Sequence, residues 1–372
     1  MYYFLTHFFF FNNFTYVKGV IKMKTKMKTK IWNMKDYSQD SQTFSQLAEI
    51  KTIYENGGLI AIPTETVYGL GANAKNEQAV ENIYKAKGRP SDNPLIVHIY
   101  KQSQMDAFVS TIPKEAKKLM NAFWPGPISF ILPLKKGYLC EKVTGGLNSI
   151  AVRMPSHPIG RAILEYVDLP IAAPSANISG RPSPTTFQHV YNDLNGKIDG
   201  IVNGDQSEEG LESTVLDCTQ FPFRIARPGS ITQTMLNRVV PHSVIQYDYN
   251  QLERPIAPGM KYKHYAPKTP VYMLTEFTQP ISELNESGLA FVLPSSMKKY
   301  VPKDCIFISL CENQRDVKGA NHNLYKILHD IDDDERIQKA FIYTFDNIEG
   351  SEAVMNRMMK ATGNQIVKGR EL

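Results

Sequence analysis

A short apolar run, Leu59-Ile60-Ala61-Ile62, stops at Pro63 and opens into a hydroxyl-rich loop, Thr64-Glu65-Thr66-Val67-Tyr68-Gly69. The pattern then changes to a helical period. Val80, Ile83, Tyr84 and Lys87 fall at i, i+3, i+4 and i+7, so one face is apolar and ends on a lysine stem. Asn76 is a candidate N-cap, Glu77 suits the positive end of the dipole, and Gly88 and Pro90 stop the helix. Its tip carries Lys85, Lys87 and Arg89, followed by a rigid polar turn, Ser91-Asp92-Asn93-Pro94, and a second buried-strand candidate, Leu95 to Ile99. Lysines at a helix C-terminus can be dipole compensation and nothing more. Here polar groups line both ends of a strand pair, where open α/β sheets place their ligands, and such a unit can hold an anion with side chains.

The same reading continues along the chain. Residues 44–56 predict an amphipathic helix with Phe44, Leu47, Ile50 and Tyr54 on one face. Helices are predicted over 113–124 and 158–166, and strands over 128–134, 150–154 and 170–173. Ile201-Val202, Ser213 to Leu216 and Phe223 to Ala226 complete a strand-rich first domain that closes near residue 240. A proline-rich linker over 252–270 carries Lys261, Tyr262, Lys263, His264 and Tyr265 in its middle, which a plain spacer would not need. Beyond it, short apolar strands at 271–274, 290–293, 306–310 and 340–345 alternate with helices at 321–331 and 351–362, which predicts a small parallel α/β sheet.

Composition changes this picture little, with one exception. The net charge is +5, but residues 1–35 hold seven lysines and no acid; without them 35 basic residues face 37 acidic ones, a net of −2. The body is near neutral, so any anion site must be local, and overall charge does not argue for nucleic-acid binding. The first 35 residues are aromatic first and basic afterwards, the reverse of a secretory signal. They read as an atypical extension, from a start placed upstream of Met23 or Met27 or from disorder. No apolar stretch reaches the length of a membrane span, and Cys140, Cys218, Cys305 and Cys311 show no zinc or redox spacing, so reduced thiols in a cytoplasmic protein are expected.

Common nucleotide signatures are absent: Gly69-Leu70-Gly71 does not extend to a dinucleotide fingerprint, and there is no P-loop. Cationic side chains and loop amides would have to cradle any triphosphate. Further segments end strands with polar groups. Ser149, Ala151 and Arg153 share one strand face. Pro174 and Pro182 bracket a polar loop containing Ser175, Asn177, Ser179, Arg181 and Ser183, while Glu212-Ser213-Thr214 and Arg227-Pro228-Gly229-Ser230 flank two more strands. Taken singly, each could be a capped turn, a surface arginine or strand propensity.

Together these blocks resemble one family. Pro63 to Leu70, Lys87-Gly88-Arg89-Pro90, Asn93-Pro94-Leu95, Ala151-Val152-Arg153, Pro174 to Asn177, Ser213-Thr214-Val215 and Arg227-Pro228-Gly229 are similar to the YrdC-type domain of L-threonylcarbamoyl-AMP synthases. The linker from Pro258 to Pro267 and the α/β tail resemble the long, two-domain form, and the likeness covers about residues 43–372. It implies a YrdC-type twisted open mixed sheet with helices over 43–240, a linker or lid over 241–270, and a smaller Rossmann-like α/β domain over 271–372. It implies synthesis of threonylcarbamoyl-AMP and pyrophosphate from L-threonine, bicarbonate and ATP. A downstream tRNA threonylcarbamoyl transferase would then modify adenosine beside the anticodon; no strong direct tRNA binding and no membrane are expected.

By the same resemblance, Thr66, His98, Arg153, Ala173 and Ser213 would hold threonine. Arg89, Asn93, Ser149, Ser175, Ser183 and Arg227 would hold ATP, with Tyr265 closing from the linker and Lys87 and Asn177 near the phosphates. Mg2+ would accompany ATP, with no direct protein ligand expected. The chemistry fits: arginine takes a carboxylate with two parallel hydrogen bonds, and in-line attack of a carbamate on phosphorus needs positioning and charge stabilisation, with no protein nucleophile. Two other functions compete with this one. An RNA-binding module would use the same cations, although no stacked-aromatic motif is visible. An enzyme acting on another carbamoyl compound would release pyrophosphate without needing threonine.

Overall fold

The computed structural model describes residues 14–17, 20–23, 27–38, 40–246, 265–281, 284, 286–346 and 348–372. The linker residues Lys261 to His264 and most of residues 1–26 lie outside them. A short hairpin pairs β1 (Phe14–Val17) with β2 (Val20–Met23).

The larger domain is built on eleven strands: β3 (Lys30–Asn33), β4 (Ile60–Ile62), β5 (Gly69–Asn73), β6 (Ile96–His98), β7 (Ile128–Pro133), β8 (Ser149–Arg153), β9 (Ile171–Ala172), β10 (Gly200–Asn203), β11 (Thr214–Asp217), β12 (Phe223–Arg227) and β13 (Val244–Gln246). Their spatial order is β13-β12-β11-β7-β8-β6-β9-β5-β4-β10-β3, with parallel and antiparallel neighbours mixed. Helices α1 (Ser41–Glu55) and α5 (Pro158–Val167) cover one face; α2 (Glu77–Lys87), α3 (Lys114–Phe123), α4 (Glu141–Thr144), α6 (Phe187–Leu194) and α7 (Gln233–Val239) pack on the other. As its residues predict, α2 starts on the Asn76 cap, whose side chain accepts from the Ala79 amide, and ends at Gly88 with φ +61°.

The smaller domain is an all-parallel sheet ordered β16 (Ile306–Ser309), β15 (Leu289–Leu293), β17 (Lys339–Tyr343), β14 (Val271–Thr275), β18 (Ile366–Lys368). Helices α8 (Val317–Asp333) and α9 (Glu352–Thr362) carry its main apolar stripes. That apolar cluster also takes in Val67, Leu211 and Tyr265, so the two domains share a packed interface. Among the described residues no helix is long and apolar enough to cross a membrane.

Four expectations need correction. Residues 30–34 belong to the fold: β3 pairs with β10, and Trp32 and Met34 are buried. Gly200 makes room for the indole, because a Cβ there would lie 2.1 Å from the Trp32 ring. Phe44 is half exposed while Leu47, Ile50 and Tyr54 are buried, because α1 rolls its stripe onto α5 one position along. Residues 244–246 are a strand against β12 and not linker. The edge strand β18, with exposed Ile366, carries too short a pattern to be read locally.

Candidate active site

Strand register sets the first corner of the site. His98 and Arg153 are paired residues where β6 and β8 end, Arg153 faces Ser129 near the start of β7, and Ser213 directly precedes β11, which runs parallel to β7. Four polar residues from four separate chain segments thus meet at one end of the sheet. The loop after β4 closes over them. Thr64 donates to the Val67 carbonyl (2.6 Å) and holds the Thr66 hydroxyl at 3.0 Å. Arg153 Nη1 donates to Thr66 Oγ1 (2.7 Å), and Arg153 Nη2 forms an ion pair with Glu65 at 2.8 Å. Burial alone would push the Glu65 carboxyl up; the Arg153 charge and hydrogen bond, with backbone amides, together outweigh it and hold the group below the usual carboxylate range. His98 is buried, with Nδ1 3.2 Å from the Ile96 carbonyl oxygen. Burial, and then the nearby Arg153 charge, bring its pKa down to about 3, so the imidazole is neutral.

The second corner is cationic. Lys87, fully buried at the end of α2, donates to the carbonyls of Ser175 (2.5 Å) and Asn177 (2.6 Å) and lies 3.3 Å from Asn177 Oδ1. Asn177 in turn donates to the carbonyls of Ile178 and Arg181, both at 2.9 Å. The lysine thus organises the 175–183 loop. Arg89 Nη2 reaches the carbonyls of Asn93 (3.3 Å) and Pro94 (3.2 Å). Arg227 donates from Nε and Nη2 to the Ser213 carbonyl (3.1 and 2.9 Å) and from Nη2 to Ser213 Oγ (3.1 Å). Gly229 permits this approach, since a Cβ there would lie 2.2 Å from the Thr214 nitrogen. Burial disfavours all three charges: Arg89 falls to about 10, Lys87 well below its ordinary value, and Arg227 in the same direction. A polyanion placed among them would add to the counter-charge that Asp193 and Glu212 already give Lys87 and Arg227.

One cleft joins the two corners. Of the residues predicted from sequence, Thr66, His98, Arg153, Ala173, Ser213, Lys87, Arg89, Ser175, Asn177, Ser183, Arg227 and Tyr265 line it. Asn93 and Ser149 are not on its wall. Asn93 is fully buried behind Arg89, and among the described residues its carboxamide nitrogen and oxygen have no hydrogen-bond partner. Ser149 sits at the far end of β8, four residues or about 13 Å from Arg153. Lys85 is not part of the site; it is exposed and paired with Glu81 at 2.8 Å.

Known proteins match the chain over most of its length. Residues 52–229 match the family model described as "Telomere recombination", and residues 231–363 match "Threonylcarbamoyl-AMP synthase, C-terminal domain". The curated threonylcarbamoyl-AMP synthase of Bacillus subtilis is 40% identical over 347 residues, covering 92% of this chain and all of that protein. This chain belongs to the threonylcarbamoyl-AMP synthase family. The Pyrococcus abyssi synthase is 40% identical over 328 residues, 84% of this chain and 92% of its own. A crystal structure of P. abyssi Sua5 complexed with L-threonine superposes with a TM-score of 0.79 at 34% identity, covering 91% of this chain and 99% of that one.

Local sequence missed several residues that shape this synthase-family cleft. Ser129 shares a hydrogen bond with Ser213 (Oγ to Oγ 2.8 Å) but sits inside an ordinary apolar strand. Glu65 and Glu212 lie in segments the sequence marks, without a sign of which cation each would meet. Arg357 did carry a signal: it falls on the apolar stripe of α9 with Val354, Met358 and Ala361, where a charge demands a buried partner.

Proposed function

We propose that the protein condenses L-threonine, bicarbonate or carbon dioxide, and ATP into threonylcarbamoyl-AMP and pyrophosphate, feeding a transferase that modifies tRNA. The carrying observation is the composition of the one cleft: a carboxylate- and hydroxyl-reading corner beside a buried cationic wall. Arg153 takes the threonine carboxylate through its guanidinium edge. The Thr66, Ser213 and neutral His98 side chains give the threonine hydroxyl partners in a dry pocket. Its neutral amine adds to carbon dioxide with release of a proton, or to bicarbonate with loss of water, to form the carbamate. A carbamate oxygen then attacks the α-phosphorus, the bond to the β-phosphate oxygen breaks, and pyrophosphate leaves.

Lys87, Arg89 and Arg227 stabilise charge on the phosphates, while the loop from Ser175 to Ser183 orients them. Asn93, buried behind Arg89 and off the cleft wall, acts on ATP through the Arg89 guanidinium that its backbone carbonyl holds. Tyr265, buried against the cleft, closes the mouth and excludes water from the mixed anhydride. Magnesium enters as part of the MgATP substrate. The nearby carboxylates suit that arrangement, because Glu212 is engaged by Arg357 and Asp193 by Arg181, so phosphate oxygens carry the ion. The cytoplasm is the expected place of work.

Pyrophosphate release tests the reading directly. Incubation with MgATP and bicarbonate should yield pyrophosphate only when threonine is added. Threonine-independent release points to another carbamoyl chemistry, and no release at any threonine concentration rejects the assignment.

A further inference from the structure

Arg357 is among the largest fully buried side chains in the molecule, and it reaches out of its own domain. From α9 it donates Nε to Glu212 Oε2 (2.9 Å) and Nη1 to the Pro228 carbonyl (2.7 Å). Glu212 precedes Ser213 in the chain and Pro228 follows Arg227. One guanidinium therefore ties together the two loops that present Ser213 and Arg227 to the cleft. The Glu212 carboxylate accepts from Ser183 Oγ (2.5 Å) and from the Tyr325 hydroxyl of α8 (2.9 and 3.1 Å). The Arg357 guanidinium also lies over the Tyr265 ring, 5.8 Å from its centroid. Burial would neutralise Glu212, but Arg357 and then Arg227 bring its pKa down to about 2, so the carboxylate stays charged.

We propose that Arg357 is a positioning residue of the nucleotide subsite, by which the C-terminal domain holds Glu212, and through it Ser183 and Arg227, in the geometry that receives ATP. The proposal rests on the function put forward above. A purely adhesive ion pair between domains could sit anywhere on the interface. Here Glu212 itself lines the cleft and Pro228 is the residue next to Arg227. Arg357 itself does not line the cleft, so it acts through Glu212. The threonine corner is held mainly by the larger domain, by Glu65, Thr66 and Arg153 and, for Ser213, by the Ser129 hydroxyl at 2.8 Å. Loss of Arg357 therefore acts on ATP more than on threonine.

The test uses the full chain and measures ATP and threonine affinities separately by calorimetry, with pyrophosphate release alongside. Arg357→Met should weaken ATP binding by about ten- to a hundredfold, the range for losing a charged hydrogen bond, with threonine affinity within twofold of wild type. Arg357→Lys should recover part of it, since lysine keeps the charge but cannot grip both loops. Arg357→Met strands a buried carboxylate, so Glu212→Gln/Arg357→Met is measured with it. The double variant should regain thermal stability yet keep the weak ATP binding. Wild-type ATP affinity in either variant, or an equal loss for both ligands, overturns the proposal. Failure of both variants to fold overturns it too, leaving the arginine purely structural. Wild-type protein that binds ATP without threonine-dependent pyrophosphate release would instead reject the assigned reaction, and the Arg357 comparison would still be readable.

Discussion

Arg153→Met separates the stability of the threonine corner from its chemistry. The guanidinium and the Glu65 carboxylate form an ion pair at 2.8 Å with side chains only 5% and 6% exposed. That burial removes the pair from the class of weak surface salt bridges. Methionine fills similar volume but leaves Glu65 charged and unpaired, which costs about 3–5 kcal/mol at neutral pH. For a domain of this size that corresponds to a melting temperature lower by roughly 6–20 °C.

The sign of the pH dependence follows. In the wild type the depressed Glu65 pKa contributes stability above the unfolded value of 4.5, lost as pH falls. In the variant the Arg153 charge and hydrogen bond are gone and burial, the largest influence, raises that pKa, so the deficit is largest at pH 7.5 and shrinks on acidification toward pH 5. Glu65→Gln/Arg153→Met removes both charges and should melt close to wild type. Neither variant can offer a carboxylate two hydrogen bonds, so threonine affinity should fall by at least about ten- to a hundredfold in both. Thermal melts at the two pH values and threonine calorimetry decide the matter. A single variant as stable as wild type at pH 7.5, or a double variant with normal threonine affinity, would refute the reasoning.

Arg89→Ala should lower turnover about ten- to a hundredfold in the pyrophosphate assay, the range for one lost charged hydrogen bond; wild-type turnover would remove Arg89 from the phosphate site. Discrimination among amino acids should be uneven, with valine rejected by about 10⁴-fold and serine by only about 10–200-fold, measured as kcat/KM ratios. The inverse ranking would mean that the pocket reads the methyl and not the hydroxyl. His98 and His189 both stay neutral down to about pH 3, chiefly through burial and then through Arg153 and His329 respectively. The unfolded chain takes up those protons first, near pH 6.5, so stability is full above that value. It then falls with pH by about 1.4 kcal/mol per unit for each histidine. Melting temperature should drop between pH 7 and 5.5, and His189→Asn should flatten the slope. A level wild-type profile would show that the histidines are not buried neutral.

The boundaries of α2 and the strand–loop pairs were legible in the sequence, because each is fixed by local physics, whereas the candidate cleft residues came from the likeness to a family. Asn76 caps the helix that Glu77 opens, Pro63 ends a strand, and Pro174 with Pro182 stiffens a loop whose polar groups then point one way. Tertiary structure decided what those polar groups do. The exposed Lys85 and the buried Lys87 are two residues apart, and only the packing of α2 against the 175–183 loop sends one to Glu81 and the other into the site. Glu65 and Glu212 acquire their cations from strands and helices 88 and 145 residues away, distances over which no sequence period carries information. Ser149 lies on the same strand face as Arg153, but the length of the strand sets it far from the cleft wall. Residues 30–34 become part of the core because β10 offers them an edge and Gly200 leaves space for Trp32. Local pattern chooses helix, strand or turn; long-range register and burial choose which charges meet.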